Sequence, residues 1–172
     1  MTNYIEIKGG NCLYGKLQVS GAKNSALVLM AASILSKGTV NLFNVPHISD
    51  VEIMSKLLIA MGMNVKSNPE KLEICTQGVS QPSHVVSSDL YRAMRASFFC
   101  IGPLVARFGL AMIPFPGGCS IGARPIEEHI QALIKLGVKF EFKENYLIAE
   151  TISPNRRLVG STINFKCKSV GA

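Results

Sequence analysis

Apolar residues along this chain alternate between two periods. Val51, Met54, Leu58 and Met61 recur three or four apart, the spacing of one helical face, and Gly62 stands where such a helix would end. Short runs on either side predict strands over Thr39–Asn44, Asn64–Ser67 and Leu72–Thr76, with a turn at Asn68-Pro69. Ser49-x-x-Glu52 ahead of the helix has the form of a capping box. The same grammar then returns. Leu110–Phe115 predicts a strand, Pro125 the first turn of a helix, and Ile126, Ile130, Leu133 and Ile134 its apolar stripe, with Gly137 at its end. Val138–Phe142 and Leu147–Glu150 follow as strands that turn at Glu144-Asn145.

Another helix precedes each set: Ala22–Leu35 in the first and Asp89–Ile101 in the second, the latter stopped by Gly102-Pro103. Gly38 and Gly109 lie 71 residues apart, and Gly62 and Gly137 lie 75 apart. The pattern is a weak repeat of helix–strand–helix–strand–strand, a mixed α/β class. Ser169-Val-Gly-Ala172 matches the start of a third such helix. Units of this kind bury their apolar faces only against neighbours and usually need about three copies. The expectation is therefore a piece of a larger protein.

Composition agrees with a packed core. Of 172 residues, 48% are hydrophobic and 17% charged, which argues against disorder, and the absence of tryptophan makes the core aliphatic. The longest apolar run, Ala26–Ser36, is too short and mixed to cross a bilayer, and Met1–Gly10 has no apolar stretch of signal-peptide length. Five widely spread cysteines (Cys12, Cys75, Cys100, Cys119 and Cys167) form no zinc-like spacing and point to a reducing, cytoplasmic setting. No cofactor and no metal are expected. The net charge of +7 is dispersed rather than clustered or interleaved with aromatics, which favours a small anionic ligand over nucleic acid or a membrane.

The most informative stretch is Pro116-Gly-Gly-Cys-Ser-Ile-Gly-Ala-Arg-Pro125. Glycines allow close approach of backbone to a ligand, and a thiol held beside Arg124 has reason to be reactive. Together with Ser20-Gly-Ala-Lys-Asn-Ser-Ala, Met94-Arg-Ala-Ser and Gly102-Pro-Leu-Val-Ala-Arg-Phe-Gly, it resembles the UDP-N-acetylglucosamine 1-carboxyvinyltransferases, a branch of the enolpyruvyl transferases. The resemblance runs from about Tyr4 to Ala172. The sister enzymes of aromatic amino-acid synthesis share the fold but lack that cysteine.

The resemblance implies an incomplete inside-out α/β barrel of β-α-β-α-β-β units. Residues 1–19 would be N-terminal strands that pack on a second domain. Residues 20–172 would be a partial first domain: unit one over about 20–88, unit two over about 89–160, and the start of unit three over 161–172. The second domain would be absent, so the missing C-terminal part of the same protein is the expected partner.

The implied reaction moves the enolpyruvyl group of phosphoenolpyruvate to the 3-hydroxyl of UDP-N-acetylglucosamine, with phosphate release, as the first committed step of peptidoglycan synthesis. Cys119 matches the general-acid cysteine, which also forms an adduct with phosphoenolpyruvate and is the target of fosfomycin. A thiol pKa near 8.5 suits that role. Lys23 and Asn24 match the phosphoenolpyruvate-binding pair, and a lysine at a helix start opposes the helix dipole unless an anion offsets it. Arg95 and Arg124 match the arginines that grip anionic groups. Arg124, Pro125, Ile126, Glu127 and Glu128 correspond to the uridine-binding stretch, and Ser169, Val170 and Gly171 to a nucleotide-contacting loop, although Cys167-Lys168 departs from the usual residues before it. The other four cysteines read as packing residues, and His129 as a packed or surface histidine. The catalytic aspartate and one arginine would come from the second domain, so the chain alone is expected to be inactive. The alternative is a non-catalytic truncated remnant or a weak nucleotide-binding module.

Overall fold

The computed structural model describes residues 4–68, 70–79, 88–114, 126–143 and 146–166. The repeat is present as two three-stranded sheets. Strands β1 (Thr39–Phe43), β2 (Asn64–Ser67) and β3 (Lys71–Cys75) lie in the order β1-β3-β2. Strands β4 (Leu110–Pro114), β5 (Val138–Lys143) and β6 (Tyr146–Thr151) lie in the order β4-β6-β5. In each sheet the last strand is central and antiparallel to both neighbours, with Ile74 opposite Val40 and Val65, and Ala149 opposite Ala111 and Phe140. The first and second strands are therefore parallel and need a crossover helix. Helix α2 (Ser49–Ala60) supplies it in the first unit and α5 (Glu127–Lys135) in the second.

The central strands carry the alternation that sets the core. Leu72 and Ile74 of β3, and Leu147 and Ala149 of β6, are buried. Lys71 and Glu73, on the opposite face of β3, pair with each other at 3.1 Å. The inward faces meet α1 (Lys23–Ala32), α2 and the later helices, and Met30, Ile34, Met54, Leu57, Leu58 and Val105 are fully buried among them. The helical ends before β2, β4 and β5 are each closed by a glycine in the left-handed region: Gly62 at φ +95°, Gly109 at +77° and Gly137 at +87°. At Gly62 the closure is a Schellman motif, with Gly62 N donating to Ile59 O and Met63 N to Leu58 O. The units also share a threonine latch. Thr76 donates through its backbone N–H to Gly38 O, and Thr151 does the same to Gly109 O.

Several expected features differ. The second opening helix does not stop at Gly102-Pro103. It breaks earlier, at Met94, whose backbone is extended (φ −147°, ψ 125°), between α3 (Ser88–Ala93) and a 3-10 segment Arg95–Cys100. Helix α4 (Ile101–Phe108) then runs through the proline. Pro103 falls in the first turn of α4, where its missing N–H has no helical acceptor to lose. The Ser49–Glu52 capping box does not form. Ile48, extended at φ −138°, is the residue before the helix, so Ser49 is already helical and no side chain caps the end. The α5 stripe is only half buried, and Ile134 is exposed, because the described elements cover one flank of that helix. Residues 4–22 carry no regular secondary structure, and Tyr4, Ile5, Ile7, Leu13, Tyr14, Leu17 and Val19 are exposed. A strand without a ladder partner has nothing to hold it.

Besides the shared core, the Arg107 side chain hydrogen-bonds across the two units. Arg107, near the end of α4, donates Nη1 to Ile34 O at 2.8 Å and to Ser36 O, and Nη2 to Val79 O at 3.2 Å and Thr76 O at 3.3 Å. It therefore satisfies carbonyls at the end of the first helix and at the end of β3. Truncation removes all four bonds. Ser36 O keeps the Thr76 hydroxyl and Thr76 O keeps the Val79 N–H, but Ile34 O and Val79 O lose a charged donor in a part-buried site. Arg107→Ala is therefore expected to lower stability by about 2–4 kcal/mol, and Arg107→Lys by less. Urea denaturation followed by circular dichroism measures this. An unchanged midpoint would remove Arg107 from the framework.

Candidate functional site

The described part of the site is the turn that opens α1. Ala22, extended at φ −74° and ψ 129°, precedes the helix without a side-chain cap, so Lys23 and Asn24 are its first two residues, both exposed. The turn rests on the connection between β1 and α2. Gly21 N donates to Asn44 Oδ1 at 3.2 Å. A Cβ on Gly21 would overlap the Asn44 carbonyl oxygen, so only glycine allows this approach. Lys23 Nζ lies 2.7 Å from Asp50 Oδ2 in the first turn of α2. The anion that offsets a lysine at this helix start is thus supplied first by the chain itself. With the lysine side chain 53% exposed, the pair contributes about 0.2–1 kcal/mol. Asp50 and Asn44 were not singled out from sequence. The signal was their place in a strand-to-helix connection, which the repeat had already marked.

In the second unit the structure places fewer of the expected residues. Arg95 begins the 3-10 segment that packs against α1, but its side chain lies outside the described atoms. Ile126 immediately precedes α5 and packs on the core. Glu127 and Glu128 occupy the first turn of α5, where carboxylates suit the helix dipole. Glu128 Oε2 accepts the backbone N–H of Lys166 at 3.2 Å, so this carboxylate already braces the chain after β6. His129 is packed: its ring meets Phe98 edge-on at 5.4 Å and lies 6.2 Å from Phe99. Cys119, Arg124 and Pro125, and Ser169, Val170 and Gly171, lie outside the described residues. Among the described residues no group of three or more His, Cys, Asp or Glu side chains could hold a metal ion.

The remaining cysteines divide by environment. Cys100 is buried with Sγ 3.9 Å from Met54 Sδ, and burial pushes its thiol up to about 12. It is a packing residue, as expected. Cys75 and Cys12 are not. Cys12 sits in the exposed N-terminal segment. The Thr39 hydroxyl, then the Gln77 backbone, hold the half-buried Cys75 thiol below its ordinary value. Cys167 lies outside the described residues.

Comparison with known proteins places this geometry. Residues 7–172 match the family model described as EPSP synthase (3-phosphoshikimate 1-carboxyvinyltransferase). A Prochlorococcus marinus protein named UDP-N-acetylglucosamine 1-carboxyvinyltransferase 2 is 58% identical over 93% of this chain and 38% of its own length. A Myxococcus xanthus protein named UDP-N-acetylglucosamine 1-carboxyvinyltransferase is 43% identical over 94% of this chain and 38% of its own length. Among solved structures, an enolpyruvyl transferase from Streptomyces tendae superposes with a TM-score of 0.69 at 21% identity, covering 88% of this chain and 32% of that one. EPSP synthase from Acinetobacter baumannii gives 0.67 at 18% identity, covering 91% and 36%. The chain spans under two fifths of the length of these relatives.

Two outcomes are expected. Gly21→Ala forces a backbone overlap that no rotamer relieves and should cost about 1–3 kcal/mol in urea denaturation, with a parent-like midpoint contradicting the close approach. Cys100 is neutral in the fold and its folded pKa is raised. Its contribution is therefore complete below pH about 9 and is lost as pH rises toward 12. Cys100→Ala should accordingly flatten the fall in melting temperature between pH 8.5 and 10.5.

Proposed function

Because the chain belongs to the EPSP synthase family of enolpyruvyl transferases, we propose that, completed to the length of its relatives, it carries the enolpyruvyl group of phosphoenolpyruvate to the 3-hydroxyl of UDP-N-acetylglucosamine with release of phosphate. The near-complete alignment with relatives named for that activity carries this reading. The cysteine in Pro116–Pro125 supports the same branch over the sister synthases.

In this reading Lys23 and Asn24 meet phosphoenolpyruvate from the opening turn of α1. An ammonium suits a phosphate, and an amide can orient a carboxylate or hydroxyl. Arg95 and Arg124 grip the anionic groups of the substrates through planar guanidinium forks. The stretch Arg124–Glu128 and the segment Ser169–Gly171 hold the uridine nucleotide. The sugar hydroxyl gives its proton to a base and its oxygen bonds to the enol carbon, while the Cys119 thiol gives its proton to the neighbouring methylene carbon. Loss of phosphate and of a proton then restores the double bond. The base and a further arginine come from the length that the relatives have beyond this alignment. Residues 1–19 pack on that part, 20–88 and 89–160 form the first two units, and 161–172 opens a third. A role in peptidoglycan synthesis in the cytoplasm follows from the substrate pair. Among the described residues no helix is long and apolar enough to cross a membrane.

The test is phosphate release from the two substrates. The 172-residue chain alone is expected to release none, and the completed protein to turn over. Cys119→Ala in the completed protein should lose at least about 100-fold in kcat, the scale of a positioned general acid. Turnover by the isolated chain, or undiminished turnover by the cysteine variant, would refute the corresponding part.

A further inference from the structure

We infer that Asn44 and Asp50, both outside the residues expected to touch substrate, are positioning residues that hold the Gly21–Lys23 turn so that Lys23 presents its ammonium to an anion. The inference rests on the reading of Lys23 as an anion-binding residue.

Three observations carry it. First, both tethers leave one short connection, residues 44–48 and the first turn of α2, and both end on the same turn. Asn44 Oδ1 accepts from Gly21 N, and Asp50 Oδ2 pairs with Lys23 Nζ at 2.7 Å. Second, Asn44 adopts φ +53°, a left-handed conformation that a side-chain-bearing residue keeps only when its surroundings require it. That conformation sets the Asn44 carbonyl against Gly21, with Pro46 next to it. Third, among the described residues no side chain caps the opening turn: Ala22 offers none, and Lys23 and Asn24 are exposed. The helix start would otherwise be free to fray.

The chemistry of the ammonium makes the arrangement useful. A lysine has three N–H donors and no acceptor, so a single carboxylate on one side leaves two donors for an incoming phosphate or carboxylate. The four-carbon stem is flexible, and Asp50 removes much of that freedom before the anion arrives. Asp50 therefore aims the lysine without consuming it. A misplacement of about 1 Å at such a contact costs up to about 100-fold in a reaction that depends on orientation.

The experiment uses Asp50→Asn and Asn44→Gly in the completed protein. The first variant keeps the side-chain shape. The second keeps the left-handed backbone while deleting the acceptor for Gly21. Each is expected to raise KM for phosphoenolpyruvate about 10-fold, with kcat within about 3-fold and an unchanged urea midpoint, and Asp50→Glu should recover part of the loss. A parent KM in both variants overturns the inference. So does a fall in activity that only tracks the folded fraction. A second readout is acylation of Lys23 in the 172-residue chain, quantified by mass spectrometry relative to the exposed Lys139. Asp50→Asn should raise it about 2–5-fold, the scale of a partly exposed ion pair, and an unchanged rate also overturns the inference. The two readings fail differently. A completed protein without phosphate release, but with altered Lys23 acylation in the variant, sinks the transfer reading alone. Turnover with parent KM in both variants sinks this inference alone.

Discussion

The two units share an apolar core, and the Arg107 guanidinium hydrogen-bonds across it. Each unit is a parallel strand pair split by a central antiparallel strand, with one apolar face to bury, and neither can bury it alone. Packing brings the first helix against the 3-10 segment Arg95–Cys100, but apolar packing is non-directional and fixes no register. Arg107 supplies the direction. Its planar fork reaches carbonyls of Ile34, Ser36, Thr76 and Val79, which belong to two different ends of unit one, from a helix of unit two. Its charge also lies 4.8 Å over the Phe108 ring. The ends of unit one's first helix and central strand are thus fixed relative to α4, and the Thr76 latch to Gly38 closes the same corner. Everything that depends on the placement of α1, including the Lys23 turn at its other end, depends on that joint.

The elements whose own side chains decide them were legible in the sequence. The stripe from Val51 to Met61 is buried along α2, and the helix-ending glycines at 62 and 137 both hold positive φ. The repeat offset of 71 to 75 residues found the matching strand–helix–strand–strand order of the two units. What the sequence hid was set by tertiary context. Gly102-Pro103 resembles a helix stop, yet the break lies at Met94, and a proline in a first turn is harmless. Ser49 to Glu52 has capping spacing, but Ile48 took the capping position, and Asp50 was drawn to Lys23.

The site was legible as residue types but not as contacts. Motif spacing picked out Lys23 and Asn24, and the structure does place them together at an exposed helix start. It could not find Asn44 and Asp50, which are separated from the turn by more than twenty residues and carry no local signature of their own. Glu128, expected beside a nucleotide, also accepts the Lys166 N–H through Oε2, a contact 38 residues away that its motif did not announce.

The two strand-to-helix connections show how a repeat can divide structural and chemical work. In unit one, five residues join β1 to α2; in unit two, twelve join β4 to α5. The short connection has little slack, so it is braced from within. Asn44 is held left-handed, Gly21 is pressed to it, and Asp50 closes on Lys23. The long connection carries the glycines, Cys119 and Arg124. Glycine lowers the cost of changing conformation, whereas a strained asparagine and an ion pair raise it. The described connection is thus the braced one, with Lys23 and Asp50 held together across it. The two connections differ in length by seven residues, whereas the strands and helices on either side of them are the same in kind.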